Sequence, residues 1–264
     1  MAQQLYHMPA LSPEDEVFLQ TVEDDTDDDE ESPWMTMGDP QLRSATALYW
    51  SLRIHAQREG LLWYVGSMLP IFYPRPRLNR KGQVAPDVLV SFVEDRYRHS
   101  YDLEEEGVCP AFVLEVLSPS SVYQDTVKKR RTYRLLGMQE YVLFAPEPTV
   151  PRQPVLQGYR RASDGRSIAW KPDRQGRLWS RVLELFLVVE GMEVHALKPD
   201  GAPLLTPQQL EEERQRLEDR QRFLESSQKA MEDKQKAMDD ERQRLVDEVA
   251  LLRAELERTR QQHD

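Results

Sequence analysis

Glu115 stands inside FVLEVLSPSS, residues 112–121, where five of the first six residues are apolar. A run of this kind is the pattern of a buried strand. An unpaired ionised carboxylate there costs several kcal/mol, so Glu115 must be neutralised, paired or held by a cation. A second acid, Asp87, lies in the apolar run VAPDVLVSF, residues 84–92. Neighbouring strands would bring the two carboxylates to one end of a sheet, where they repel unless a proton or cation sits between them. Mg²⁺ suits such a pair. It is a hard ion that one or two carboxylates hold, with water and substrate phosphate completing the octahedron.

The stretch that follows Glu115 carries Asp125, Lys128, Lys129, Arg130 and Arg131 on a segment of helical pattern. A helix packed beside the Glu115 strand can aim one of these cations at the two acids. A lysine in that place orients a nucleophile and stabilises developing negative charge. Other reactive residues carry less. His55 lies on a mixed helix face, His99 in a polar loop and His195 in a strand-like piece. Cys109 precedes Pro110 with no evident base and reads as a packing thiol. A single cysteine excludes an internal disulfide framework and a cysteine-rich zinc site. The chain shows no Gly-rich phosphate loop, no H-E-x-x-H and no Ser-His-Asp ordering.

VAPDVLVSF, FVLEVLSPSS and QDTVKKRRTYRLLGMQEYVLFAP together resemble the Uma-two-type restriction endonucleases, a family of the PD-(D/E)XK nuclease superfamily. The likeness runs over roughly residues 43–206, including the phrase MEVHALKPDGAPLLT. It implies a restriction-endonuclease-like fold and Mg²⁺-dependent (or Mn²⁺-dependent) hydrolysis of DNA. It also implies that Asp87 is the motif aspartate, Glu115 the acid of the second half-motif, and both are metal ligands. The superfamily lysine is expected two positions after that glutamate, where this chain has Leu117. The following helix is then its source, with Lys129 at the matching position and Lys128 as the neighbouring candidate. Some members of the superfamily add an acid from the first helix; Glu59, at the very end of that helix, is the one such residue here.

The elements that must position these residues follow from periodicity. RSATALYWSLRIHAQRE reads as a helix that Gly60 ends. LLWYVG (61–66), LPIFYP (69–74), VAPDVLVSF, CPAFVLEVL and EYVLFAP (140–146) read as strands, with NRKGQ as a turn and residues 122–137 as a helix that Gly137 stops. One crossover helix between two strong strands implies a mixed α/β (α+β) core, a central mixed sheet flanked by helices. Beyond Pro146, short strand-like pieces read as a meander of hairpins.

Composition divides the chain further. Residues 14–31 hold 11 acids and no base, which equals the whole net charge of −11. Residues 1–40 therefore read as an acidic, disordered tail. Residues 41–206 form the nuclease-like domain, with a mildly basic charge of +4 over 32–206. Such a domain can meet phosphates. Residues 207–264 form a long helix. Leu210, Leu217, Leu224, Met231, Met238, Leu245 and Leu252 recur every seven residues along it. That stripe predicts a parallel coiled coil and a homodimer. Its companion seam is polar until Val249 and Leu256, so the coil is weak. No run reaches the ~18 apolar residues of a membrane span. The N-terminus lacks the basic start and apolar core of a signal peptide. The cytoplasm is the expected compartment. Two functions compete on this reading: a metal-dependent endonuclease acting on DNA, and a non-catalytic interaction protein that uses an inherited nuclease scaffold and its C-terminal helix.

Overall fold

The computed structural model describes residues 8–22, 39–75, 78–118, 121–146 and 155–261. The chain divides into two units, Met1–Pro207 and Gln208–Asp264. The first contains a six-stranded sheet of β1 (Tyr64–Ser67), β4 (Val88–Ser91), β6 (Phe112–Val116), β7 (Glu140–Phe144), β8 (Leu156–Arg161) and β9 (Ser167–Trp170), in that spatial order. Only β6 and β7 run parallel; the other pairs are antiparallel, so the sheet is mixed. The parallel pair needs a crossover, supplied by a π-helical turn (Gln124–Lys129) that continues into α4 (Arg130–Leu136). Gly137 ends that helix at φ 96°, and Gly60 ends α2 (Asp39–Glu59) at φ 64°. Both are left-handed positions where glycine avoids the cost of a Cβ.

Both faces of the sheet are covered, which is why β6 reads as a continuous apolar run. Phe112, Leu114 and Val116 point to one face, where Leu48 and Leu52 of α2 pack with Leu185 and Leu187 of β11 (Leu185–Glu190). β10 (Leu178–Ser180), β11 and β12 (Glu193–Leu197) form an antiparallel sheet of their own. Val113 and Leu117 point to the opposite face, into a second core with Tyr133 and Leu136 of α4. Ile71 of β2 (Ile71–Pro74) joins that second core. β2 lies between β3 (Lys81–Val84) and β5 (Tyr101–Asp102) in a third small sheet. A one-turn helix, α3 (Leu103–Glu106), follows β5. Glu115 falls on the α4 face by strand alternation.

Three expectations need correction. The first 40 residues are not all disordered tail: α1 (Pro13–Thr21) is a helix, and α2 already begins at Asp39. Ser12 caps α1 by accepting from the Asp15 amide, and Pro13 takes the first turn, where no donor is needed. Leu19 is fully buried in the second core, and Asp15 lies 2.8 Å from Arg131 and 3.2 Å from Arg134. Negative charge thus dominated a segment whose few apolar residues dock. Residues 1–7 and 23–38 of the expected tail, most of its acidic run included, lie outside the described residues. NRKGQ is not merely a turn, because Lys81–Val84 pairs with β2. The hairpin meander is split: β8 and β9 extend the main sheet, while β10–β12 stand apart.

The second unit is α5 (Pro207–Gln261). Ion pairs such as Arg214–Glu218 and hydrogen bonds such as Gln221 to Glu225 run along it at i,i+4. Among the described residues no helix is long and apolar enough to cross a membrane.

Candidate active site

The antiparallel pairing of β4 with β6 sets Val88 opposite Leu114. One residue further along that register, Asp87 stands opposite Glu115. The proximity inferred from two apolar runs is therefore met by adjacent strands. Glu115 is 1% exposed, and Tyr133 of α4 donates to its Oε1 at 2.6 Å. Lys129 Nζ lies 3.2 Å from the same oxygen, 3.3 Å from Asp125 Oδ1, and 3.3 Å from the Ala85 carbonyl. Asp87 is partly buried, and its Oδ2 accepts from the Val116 amide at 2.6 Å. Asp125 is itself buried, and Tyr141 donates to its backbone carbonyl at 2.8 Å.

Three acids thus surround one lysine. Loss of surrounding water pushes the Asp87 carboxyl up to about 6, with Lys129 and the Val116 amide pulling the other way. Burial raises Glu115 well above the ordinary carboxylate range; Lys129 opposes this, and Asp87 and Asp125 add to it. Two neighbouring buried carboxyls of this kind disfavour simultaneous ionisation unless a cation joins them.

Two of the acids were named from sequence. Asp125 and Tyr133 were not assigned to the site. Their spacing is the signal that would have found them: residues 125, 129 and 133 recur at fours along one helical face. The geometry also separates the two lysines. Lys128 directs Nζ toward the Tyr123 ring, 6.0 Å from its centroid. Glu59 is remote in role, since its Oε1 takes Lys198 at 2.7 Å. His55 stacks edge-on with Trp63 and burial lowers its basicity; His99 packs on Tyr97; His195 lies 3.5 Å from Glu193. Cys109 packs against the second core, where burial pushes its thiol up.

A family model described as "Putative restriction endonuclease", Uma2, matches residues 30–190. The chain belongs to the Uma2 family. Asp87, Glu115 and Lys129 all fall within the matched residues, as do the two helices and the strands that carry them. Among solved structures, the chain is similar to a protein of Anabaena variabilis ATCC 29413 described as a "putative nuclease belonging to DUF820". The identity is 13%, over 59% of this chain and 82% of that one, with a TM-score of 0.41. No curated protein matches the chain.

Restriction-endonuclease-like Uma2 proteins imply a divalent metal. Among the described residues, no group of three or more His, Cys, Asp and Glu side chains is arranged as a ready-made metal cage. Mg²⁺ does not require one, because it keeps several waters and takes one or two carboxylates. Asp87 and Glu115, both hard oxygen donors beside the adjacent strands β4 and β6, fit that requirement.

Proposed function

We propose that this protein is a metal-dependent endonuclease that hydrolyses DNA phosphodiester bonds. The observation that carries the reading is the convergence of Asp87, Glu115 and Lys129 at one end of the β4–β6 pair, in a family of this description. Asp87 and Glu115 would hold Mg²⁺ or Mn²⁺, with release of the proton that burial favours on the carboxyls. When bound, such an ion lowers the pKa of a coordinated water and neutralises charge on a phosphate oxygen. The chain's own contribution is positional. The Val116 amide and Tyr133 hydroxyl fix the two carboxyls. Lys129 would bring a positive charge beside the attacking oxygen and the scissile phosphate. Asp125 holds that ammonium from behind.

The test pairs cleavage with a measurement blind to it. Wild-type protein and Glu115→Gln are incubated with supercoiled and linear DNA in Mg²⁺ or Mn²⁺, and both are titrated with Mn²⁺ by calorimetry. The expected outcome is cleavage and metal binding with proton release for wild type, and loss of both in a folded Glu115→Gln protein. Undiminished cleavage by the variant overturns the assignment.

We also propose that two copies pair through α5, which would present two active sites to the two strands of a duplex. Leu217, Leu224, Met231, Met238, Leu245 and Leu252 are each more than half exposed in the single chain, so the stripe has no partner within its own unit. A second copy in parallel register would cover it.

A further inference from the structure

A second cavity adjoins the strand pair that carries the acids. A cleft of about 500 Å³ lies between α2, β1 and the segment 95–98. β1 is an outer strand of the six-stranded sheet, and the cleft follows it. At the cleft's inner end, the Met68 amide and the Ser67 hydroxyl both donate to the Asp87 carbonyl, at 3.2 and 2.8 Å. The cleft therefore ends one strand away from a residue of the proposed active site.

Its walls combine rings with guanidinium groups. Trp50 of α2 is 42% exposed and Tyr97 is 84% exposed. Rings in these positions leave apolar faces in water without serving either core. Of the charged side chains that line the cleft among the described residues, three are arginines, at 53, 96 and 98, and one is Asp95. The guanidinium groups are held in place. Arg53 donates to the Tyr49 hydroxyl at 2.6 Å and pairs with Asp95 at 3.2 Å. Arg98 stacks on the Tyr64 ring at 4.2 Å while Glu106 binds it at 2.7 Å. Arg96 also reaches Glu106, at 2.9 Å, yet keeps most of its surface in solvent.

Exposed rings beside fixed arginines are the ingredients of a platform on which unpaired bases stack while cations meet the backbone. A base inside a duplex cannot enter a cleft between a helix and a loop; an unpaired one can. We propose that this cleft binds an unpaired nucleotide of a nucleic-acid strand, adjoining the phosphodiester that the Asp87–Glu115–Lys129 site acts on. Trp50 and Tyr97 supply the ring faces, and Arg53 and Arg96 meet the neighbouring phosphates. This rests on the nuclease reading for its direction, but its binding chemistry is separable.

The test is fluorescence anisotropy at low salt in EDTA, where no cleavage occurs. The probes are a labelled ten-nucleotide oligothymidylate and the same strand with its internal bases removed. Wild type, Tyr97→Ala and Trp50→Ala are compared, with thermal melts as the folding control. Tyr97 is exposed enough that its loss leaves the fold alone. Each aromatic variant should bind the intact strand about ten-fold more weakly. The abasic strand should bind wild type about as weakly as the intact strand binds those variants. Equal affinity of wild type for intact and abasic strands overturns the proposal, as does unchanged binding by both aromatic variants or no binding of any strand. Base-dependent binding without cleavage under any metal would leave the cleft standing and remove the nuclease reading. Cleavage with no response to the aromatic variants would do the reverse.

Discussion

At the residue scale, the site is defined by an imbalance of charge. Asp87, Glu115 and Asp125 face the single ammonium of Lys129. Without metal, ionisation of all three is therefore unfavourable. The unfolded Asp87 titrates near the ordinary value, the folded one near 6. Below about pH 4 both states hold the proton and the fold bears no penalty. Between pH 4 and 6 the unfolded chain ionises first, so stability falls as pH rises and levels off above 6. An Asp87→Asn protein cannot ionise there. In EDTA it should be more stable than wild type at pH 7–8, by on the order of 1–2 kcal/mol after discounting for partial exposure and read as a higher melting temperature, and match it near pH 4. Differential scanning calorimetry across pH checks this; an equal gap at pH 4 and 8 removes burial of charge as the cause. A second comparison separates the lysines. Lys129→Ala should lower the cleavage rate by on the order of a hundred-fold or more, and Lys128→Ala far less, because Lys129 lies 3.2 Å from Glu115 and Lys128 Nζ lies over the Tyr123 ring. Comparable losses in single-turnover rates would move the role to the helix's general charge.

At the element scale, the helix that delivers Lys129 is braced from outside by α1. Asp15 takes Arg131 and Arg134, the Arg131 guanidinium lies 4.3 Å from the Phe18 ring centroid, and Leu19 fills the core. Charging that core position is costly. Leu19→Asp should lower stability by about 3 kcal/mol or more, read as an earlier urea midpoint, whereas Asp15→Ala should cost about 1 kcal/mol or less because its pairs are partly solvated. If Leu19→Asp melts like wild type, α1 does not dock in solution. The helical turn itself is π-helical over Gln124–Lys129. Such turns recur at functional sites, and here it precedes the helix that supplies Tyr133. Neither the turn nor α1 is written in hydrophobic periodicity: one is a local change of helical pitch, the other a nine-residue helix inside an acidic stretch.

At the scale of the whole molecule, the nuclease-like unit and α5 follow different rules. The first is held by two apolar cores on the two faces of one sheet. The second is a 55-residue helix whose heptad stripe is exposed. Its polar companion seam, with Arg214, Gln221, Gln228, Gln235 and Arg242, limits pairing strength. Full-length protein should scatter light as a dimer at tens of micromolar, and a chain ending at Thr206 as a monomer. Changing Leu245 and Leu252 together to Lys should reproduce the truncated result. A monomeric full-length chain, or a truncated chain that remains dimeric, excludes α5 as the pairing element.

The sequence by itself determined the two buried strands, the crossover helix with its glycine stop and the long C-terminal helix. These rest on short-range patterns: apolar runs, 3.6-residue spacing and a seven-residue repeat, each legible in a single stretch of chain. Tertiary structure decided what distance along the chain conceals. Only the β4–β6 register places Asp87 opposite Glu115. Only the packing of α4 on that face turns Lys129 rather than Lys128 inward, and adds Tyr133 and Asp125 around it. The Trp50–Tyr97 cleft joins residues 47 positions apart and has no local pattern at all. Strand pairing and helix docking are long-range contacts whose energy is collected only once the chain has closed on itself, so no window of sequence displays them.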